Sequence, residues 1–125
     1  EYKKIAEERW KRFKKEKAII LLEGKAKDCL DKLINEGKRF DFIYIDADKS
    51  SYPDYYDMSL KLSHEGTVIA IDNSLWAGLV AEPKTNYSHA RIINQLNEAV
   101  FYNKDLDAKT LIPAWDGLTI VRVNK

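Results

Sequence analysis

The sequence is poor in cysteine, proline, glycine and long apolar runs. Its 125 residues include one cysteine, Cys29, which cannot form an internal disulfide, so we expect a reducing, cytoplasmic location. Three prolines, five glycines and 45% hydrophobic residues exclude collagen-like, low-complexity and disordered chains. The longest apolar run, Ala18–Leu22, is far shorter than the ~20 residues of a membrane-spanning helix. We therefore expect no membrane partner.

An excess of charge of one sign is also absent. The chain has 21 basic and 20 acidic residues, a net charge of +1, so it lacks the strong positive field that attracts nucleic acid or anionic lipid. Basic residues gather up to Lys17, but no aromatic residues are interleaved on that side, which favours a solvated helix face over a nucleic-acid patch. No repeat or linker divides residues 1–125, and we predict a single domain.

Hydrophobic periodicity predicts an alternation of helices and strands. Helices are expected at 2–15, 25–36, 51–62 and 88–102, and strands at Ala18–Leu22, Phe40–Asp46, Thr67–Asp72, Lys109–Ile112 and Leu118–Val123. A turn is expected at His64–Gly66 and a loop at 74–87. Strands alternating with helices predict an α/β fold with a mostly parallel sheet, and the last two strands predict an antiparallel pair at one edge.

Acidic residues follow two of these strands. Ligands of open parallel α/β sheets bind beyond the carboxyl ends of the strands, where Asp46 and Asp72 would meet if their strands, about 4.8 Å apart, are neighbours. A bound cation would relieve their repulsion. With the Asn73 amide they offer only hard oxygen ligands, which suit Mg²⁺, Ca²⁺ or Mn²⁺ rather than zinc. The alternative is that each Asp only caps a helix.

Several other residues lie near this predicted edge. Lys49 is either a solvated lysine or, beside a cation that lowers its pKa, a general base. Trp76 is either an aromatic wall for a planar substrate or a packing residue. Tyr52, Tyr55 and Tyr56 open a helix at this edge; Tyr52 and Tyr55 are the candidate ligand contacts, and core packing is the default for at least one of the three. The remaining candidates are interpreted as structural: Cys29 as a small core residue, and His64 and His89 as turn and helix-start residues.

Three segments, FDFIYIDADKSSYPDYY, GTVIAIDNSLWAG and WDGLTIVRV, resemble successive blocks of the cation-dependent, S-adenosylmethionine-dependent O-methyltransferases of the caffeoyl-CoA and catechol type, including their bacterial members. The resemblance covers nearly the whole chain, because the opening helix and the segment EGKA, residues 23–26, also fit the family sequence that precedes the first block. The pairing of DADK with IDN and a following LW is specific, whereas DADK alone is weak. The resemblance implies a Rossmann-like class I methyltransferase fold.

The resemblance also implies roles for the matching positions. Asp46, Asp72 and Asn73 would hold the divalent cation, most simply Mg²⁺, and Lys49 would be the catalytic base. The implied contacts of the methyl donor are Asp48, Tyr55 and Ala26, and the implied contacts of the acceptor are Asp46 and Trp76. The expected reaction is methyl transfer from S-adenosylmethionine to a hydroxyl of a catechol-like small molecule, by a homodimeric enzyme.

The chain departs from the family pattern in two respects. Ala77 stands where plant members typically carry an Asn that helps to hold the acceptor, which argues against the plant phenylpropanoid substrate. The glycine-rich donor loop, the first two strands and the acidic ribose-binding residue of the family precede the matched region. We therefore expect the C-terminal part of a methyltransferase domain without its N-terminal strands, inactive and weak in donor binding by itself.

Two other functions remain open at this point. Asp46-x-Asp48 also occurs in Mg²⁺-dependent phosphatases and glycosyltransferases, although such phosphatases usually carry Thr or Val after the second Asp. A non-catalytic fragment that oligomerises through exposed strand edges is the third reading.

Overall fold

The computed structural model of the chain describes residues 2–82 and 86–125. Its helices are α1 (Tyr2–Arg12), α2 (Ala26–Asn35), α3 (Tyr52–Lys61) and α4 (Ser88–Tyr102), and its strands are β1 (Phe40–Ile45), β2 (Ser63–Asp72), β3 (Leu106–Ile112) and β4 (Leu118–Val123). Two 3₁₀ turns lie at Lys49–Ser51 and Leu79–Ala81. All four predicted helices and four of the five predicted strands are confirmed. Part of the predicted loop, residues 83–85, lies outside the described residues.

The four strands form one sheet in the order β1-β2-β4-β3. β1 and β2 are parallel, with Ile43 beside Ile69 and Ile45 beside Ile71. β4 is antiparallel to both β2 and β3, so the two C-terminal strands close one edge as expected. The α/β class is confirmed, and the described sheet is mixed. The parallel pair brings the carboxyl ends of β1 and β2 to one edge.

The strand predicted at Ala18–Leu22 is wrong, because the segment is irregular. Its exposed fractions run from 38% at Ile19 to 86% at Ile20. A strand is stable only when its backbone groups pair with a neighbouring strand, and no described strand pairs with this segment. Apolar and β-branched composition was therefore not sufficient to form a strand here.

The core lies on one face of the sheet, under α3 and α4. Alternate strand residues point to this face, where Ile45, Ile69 and Val121 are buried with Tyr52 of α3 and Leu96 of α4. On the opposite face of β1, Phe42 and Tyr44 are exposed, and neither α1 nor α2 has a fully buried residue. In the described part of the chain, no helix combines the length and apolarity needed to cross a membrane.

The turn predicted at His64–Gly66 lies within β2 instead. Ser63 pairs with Phe40 while Val68 pairs with Phe42, so the intervening residues of β2 bulge out of the ladder. Gly66 has φ +88°, a conformation that glycine adopts without a steric penalty. The turn signal in the sequence therefore marks an irregularity within the strand rather than its beginning.

Protonation of His64 should stabilise this bulge. The Glu65 carbonyl and the Asp41 carboxylate, 2.8 Å from Nε2, raise the pKa of His64. A raised folded-state pKa contributes stability that is complete below the unfolded value of about 6.5 and is lost as pH rises through the folded value. We expect His64→Gln to lower the melting temperature more at pH 5.5 than at pH 8.5. Equal losses at both pH values would contradict this assignment.

Candidate functional site

The predicted site residues come together at the carboxyl ends of β1 and β2. Because Ile45 lies beside Ile71 in the parallel ladder, the next residues, Asp46 and Asp72, lie at the same edge of the sheet. Tyr44, one residue before Ile45, donates its hydroxyl hydrogen to Asp72 Oδ2. This hydrogen bond and desolvation raise the pKa of Tyr44 to about 12. Tyr44 is thus a neutral donor that orients Asp72, a role that the sequence analysis missed.

Asn73 continues directly from Asp72 in a strained conformation. Its φ is +58°, and its backbone N–H donates to Asp72 Oδ1 over 2.7 Å. Its side-chain Nδ2 donates to Asp116 Oδ2 over 3.3 Å. The amide nitrogen therefore faces the Asp116 carboxylate, and Oδ1 is left as the side-chain atom that can bind a cation.

Lys49 lies beside Asp46 and is mostly buried, with 11% of its side chain exposed. Its Nζ is 3.3 Å from Asp46 Oδ1 and donates to the Tyr52 hydroxyl. Burial lowers the pKa of Lys49, but the hydrogen bond from Lys49 to Tyr52 and the Asp46 carboxylate outweigh it, so the pKa is raised. Tyr52 is completely buried. Tyr55 and Tyr56 are buried in the core too, so the expected core packing is confirmed, and the Tyr52 hydroxyl also accepts a hydrogen bond from the Lys49 ammonium.

Asp48 and Tyr55 form a second polar pair at the start of α3. The Tyr55 hydroxyl donates to Asp48 Oδ1 over 2.6 Å, and Ser50 Oγ donates to Oδ2 over 3.0 Å. Hydrogen bonds from Ser51 and Tyr55 hold the pKa of Asp48 well below its usual range. Asp48 is therefore a fixed, ionised hydrogen-bond acceptor at neutral pH.

An open pocket of about 330 Å³ lies between α2 and β1. Its lining includes Ala26, Asp46 and Tyr55. The pocket therefore brings Ala26 of α2, a predicted contact of the methyl donor, close to residues at the edge of β1. Cys29 also lines the pocket and is only partly buried, so its predicted place in the core is only partly correct. The pocket is mainly apolar and has the Asp46 carboxylate at its polar end.

The loop after Asn73 carries Trp76 at the same edge. Trp76 and Ala77 have φ values of +45° and +53°, which are unusual for residues with side chains. The half-buried Trp76 ring meets the ring of His89 edge to face at 5.6 Å between centroids. His89 therefore packs against the predicted acceptor wall, and Asn97 of α4 holds the loop by donating to the Ser74 carbonyl over 2.8 Å.

The oxygen ligands of the candidate cation site suit a hard divalent cation. Within residues 2–82 and 86–125, no three His, Cys, Asp or Glu side chains cluster as metal ligands. The candidate set, Asp46, Asp72 and the Asn73 amide, has only two such side chains, yet all three present oxygen. Carboxylate and amide oxygens are the ligands of Mg²⁺, Ca²⁺ and Mn²⁺.

Comparison with known proteins places the chain in a family. A family model described as O-methyltransferase matches residues 1–124. The chain is 38% identical over 124 residues to a probable caffeoyl-CoA O-methyltransferase 2 from Dictyostelium discoideum, covering 97% of this chain and 53% of that protein. It matches the Bacillus cereus O-methyltransferase in complex with SAH at 31% identity and TM-score 0.87, over 97% of this chain and 57% of that one.

A third similar protein is the O-methyltransferase TomG from Streptomyces achromogenes, solved in complex with SAM. It matches at 28% identity and TM-score 0.72, over 82% of this chain and 48% of that one. The fold therefore matches that of Rossmann-like O-methyltransferases. The chain belongs to the O-methyltransferase family, as the resemblance of its three motifs indicated, and it spans about half the length of the relatives it matches.

Proposed function

We propose that the protein containing this chain transfers a methyl group from S-adenosylmethionine to a hydroxyl of a catechol-like small molecule, with the help of a divalent cation. The observation that carries the proposal is the meeting of Asp46, Lys49, Asp72 and Asn73 at one sheet edge, beside a pocket that contains Ala26 and Tyr55. Relatives bound to SAH and SAM support the donor.

The site residues of this chain would have different roles in the reaction. Asp46, Asp72 and Asn73 Oδ1 would hold the cation, Mg²⁺ being the simplest choice, with Asp46 also beside the acceptor oxygens. When bound, the cation would polarise the acceptor hydroxyl and favour the neutral amine of Lys49. Lys49 Nζ would take the hydroxyl proton. The bound donor would supply the methyl group: the acceptor oxygen would form the bond to the methyl carbon, and the sulfur would leave as S-adenosylhomocysteine.

The remaining contacts concern binding. The ionised Asp48, with Tyr55 fixed against it, would accept hydrogen bonds from the donor near Ala26. Trp76 would pack against the acceptor ring, held in place by His89. A homodimer is proposed from the family resemblance, and a cytoplasmic location from the single cysteine. The balanced charge and the short apolar runs are the grounds for proposing no nucleic-acid or membrane partner.

Removal of the cation tests the proposal. With the protein expressed from its complete gene, we expect EDTA to abolish methyl transfer to a simple catechol and Mg²⁺ to restore it. Asp72→Ala should lose at least 100-fold in activity and should not respond to Mg²⁺ at the concentration that restores the parent. Asp31→Ala, which removes an exposed carboxylate on α2, is the matched control. Full activity of Asp72→Ala or of the EDTA-treated enzyme would refute the cation site.

A phosphatase or glycosyltransferase based on Asp46-x-Asp48 is the main alternative. The described geometry favours it less, because Asp48 is held by Tyr55 and Ser50 and does not share the edge position of Asp46 and Asp72. Mg²⁺-dependent hydrolysis of a generic aryl phosphate, without methyl transfer, would favour this alternative over the methyltransferase.

A further inference from the structure

The turn between β3 and β4 packs directly against the segment that carries Asn73 and Trp76. Its residue Asp116 accepts a hydrogen bond from the Leu75 N–H at its carbonyl over 2.9 Å, and the Gly117 carbonyl accepts one from the Ser74 N–H over 3.0 Å. Residues more than 40 positions apart in the chain are thus joined by their main chains. The Asp116-Gly117 pair of this turn is of the kind that suits a hairpin.

The Asp116 side chain adds two contacts of a different kind. Oδ2 accepts from Asn73 Nδ2 over 3.3 Å, and Oδ1 accepts from the backbone N–H of Ala77. One carboxylate therefore spans both ends of the segment from Asn73 to Ala77. Three residues of this segment, Asn73, Trp76 and Ala77, have positive φ. Such strain persists only where surrounding contacts over-determine the backbone, and Asp116 supplies two of those contacts.

The first of these contacts decides which way the Asn73 amide faces. A carboxylate has only acceptor atoms at neutral pH, so it can face the NH₂ group of the amide but not its oxygen. Holding Nδ2 against Asp116 therefore directs Oδ1 to the other side, and Oδ1 is the amide atom that a hard cation binds. Partners of this kind, one step removed from a metal, typically change metal affinity by about 10–100-fold when they are lost.

We propose that Asp116 is a positioning residue for the cation site, which fixes the Asn73 side-chain oxygen toward the cation and holds the Trp76 loop beside it. This inference rests on the proposed function, since it presupposes that Asn73 is a cation ligand. Asp116 itself acts through Asn73 and Ala77.

Cation affinity, measured without turnover, tests the proposal. We expect Asp116→Asn, in the protein expressed from its complete gene, to raise the Mn²⁺ dissociation constant by about 10–100-fold in calorimetric titration. Asp107→Asn is the matched control, because it removes a carboxylate from the same hairpin whose partner is Arg122, away from the site. An Asp116→Asn protein that binds Mn²⁺ as tightly as Asp107→Asn would overturn the proposal.

A double-mutant cycle shows whether Asp116 acts through Asn73. Asn73→Gly removes the amide and suits the positive φ, so it adds no backbone strain. In the Asn73→Gly background, Asp116→Asn should change the Mn²⁺ dissociation constant by less than about twofold, because the Asn73 amide that Asp116 orients is absent. Additive losses would mean that Asp116 acts in some other way, and the proposal would fall.

Two further measurements distinguish an error in the proposed cation site from an error in the proposed role of Asp116. If Asp72→Ala leaves Mn²⁺ binding intact, the proposed cation site itself is wrong; if Asp72→Ala abolishes binding and Asp116→Asn has no effect, only the role of Asp116 is wrong. Melting temperatures in EDTA show whether each variant folds. Should Asp116→Asn not fold, Asp116→Glu, which keeps the charge and displaces the oxygens by one methylene, is tested by the same titration and cycle with the same expectation.

Discussion

Replacing Lys49 by methionine is expected to lower kcat for methyl transfer by about 10²–10⁴-fold, the usual contribution of a general base. Methionine keeps an unbranched side chain and removes the amine, which lies 4.4 Å from the centre of the Tyr52 ring and would accept the hydroxyl proton. Donor binding should be retained, because the Asp48 and Tyr55 pair does not depend on Lys49. Steady-state kinetics at saturating donor and Mg²⁺, with calorimetry for the donor, measure both quantities.

The matched control for this variant is Lys61→Met, at the exposed last turn of α3. It removes the same charge at a distance from the site and should leave kcat unchanged. A Lys49→Met enzyme with the kcat of Lys61→Met would contradict the assignment of Lys49 as the base. A loss confined to KM would contradict it too, because it would indicate a binding role instead.

Replacing Gly117 by alanine is expected to lower the free energy of unfolding by about 2–5 kcal/mol, from backbone strain together with overpacking. Gly117 has φ +82°, and a Cβ added there would lie 2.6 Å from Leu75 Cγ and 2.9 Å from the Leu75 backbone nitrogen. The backbone of the segment after Asn73 would have to move. Urea denaturation of the complete protein measures the loss.

Gly66→Ala separates the two contributions to this loss. Gly66 has a similar φ of +88°, but a Cβ there would meet no atom within 4 Å, so only the conformational strain is added. We expect this control to cost about 1 kcal/mol, so that the difference between the two variants measures the contact between the β3–β4 turn and Leu75. Equal losses would mean that the turn does not pack as tightly as described.

The periodic elements could be predicted from the sequence because their signals are local. α4, from Ser88 to Tyr102, begins and ends where the apolar spacing indicated, and the acidic ends of β1 and β2 are neighbours as expected from the parallel pair. Ala18–Leu22 shows the limit of such signals. Its composition is typical of a buried strand, but strand formation depends on a pairing partner that no local pattern specifies.

The candidate site also contains some residues that can be identified from the sequence and others that cannot. Asp46, Lys49, Asp72 and Asn73 could be identified from the sequence because each lies at, or within four residues after, the end of a strand that must lie at the ligand-binding edge. Tyr44 could have been placed on the same face as Asp46, since alternate residues of a strand share a face, but its hydrogen bond to Asp72 depends on the pairing of β1 with β2. Asp116 could not be found in this way. Its contact with Asn73 spans 43 positions and depends on the antiparallel placement of β4 beside β2.

By itself, then, the sequence determined which groups make up the candidate site: the oxygen-bearing side chains, the amine beside them and the strands that carry them, because these follow from residue type and short-range spacing. Only the tertiary structure decided how those groups are oriented. Tyr44 holds Asp72, Tyr52 supports Lys49, and Asp116 turns the Asn73 amide, and each of these depends on side chains meeting in the folded chain. The orientation of a polar side chain depends on its hydrogen-bond partners. Partners that are distant in the sequence come together only through the packing of the folded chain.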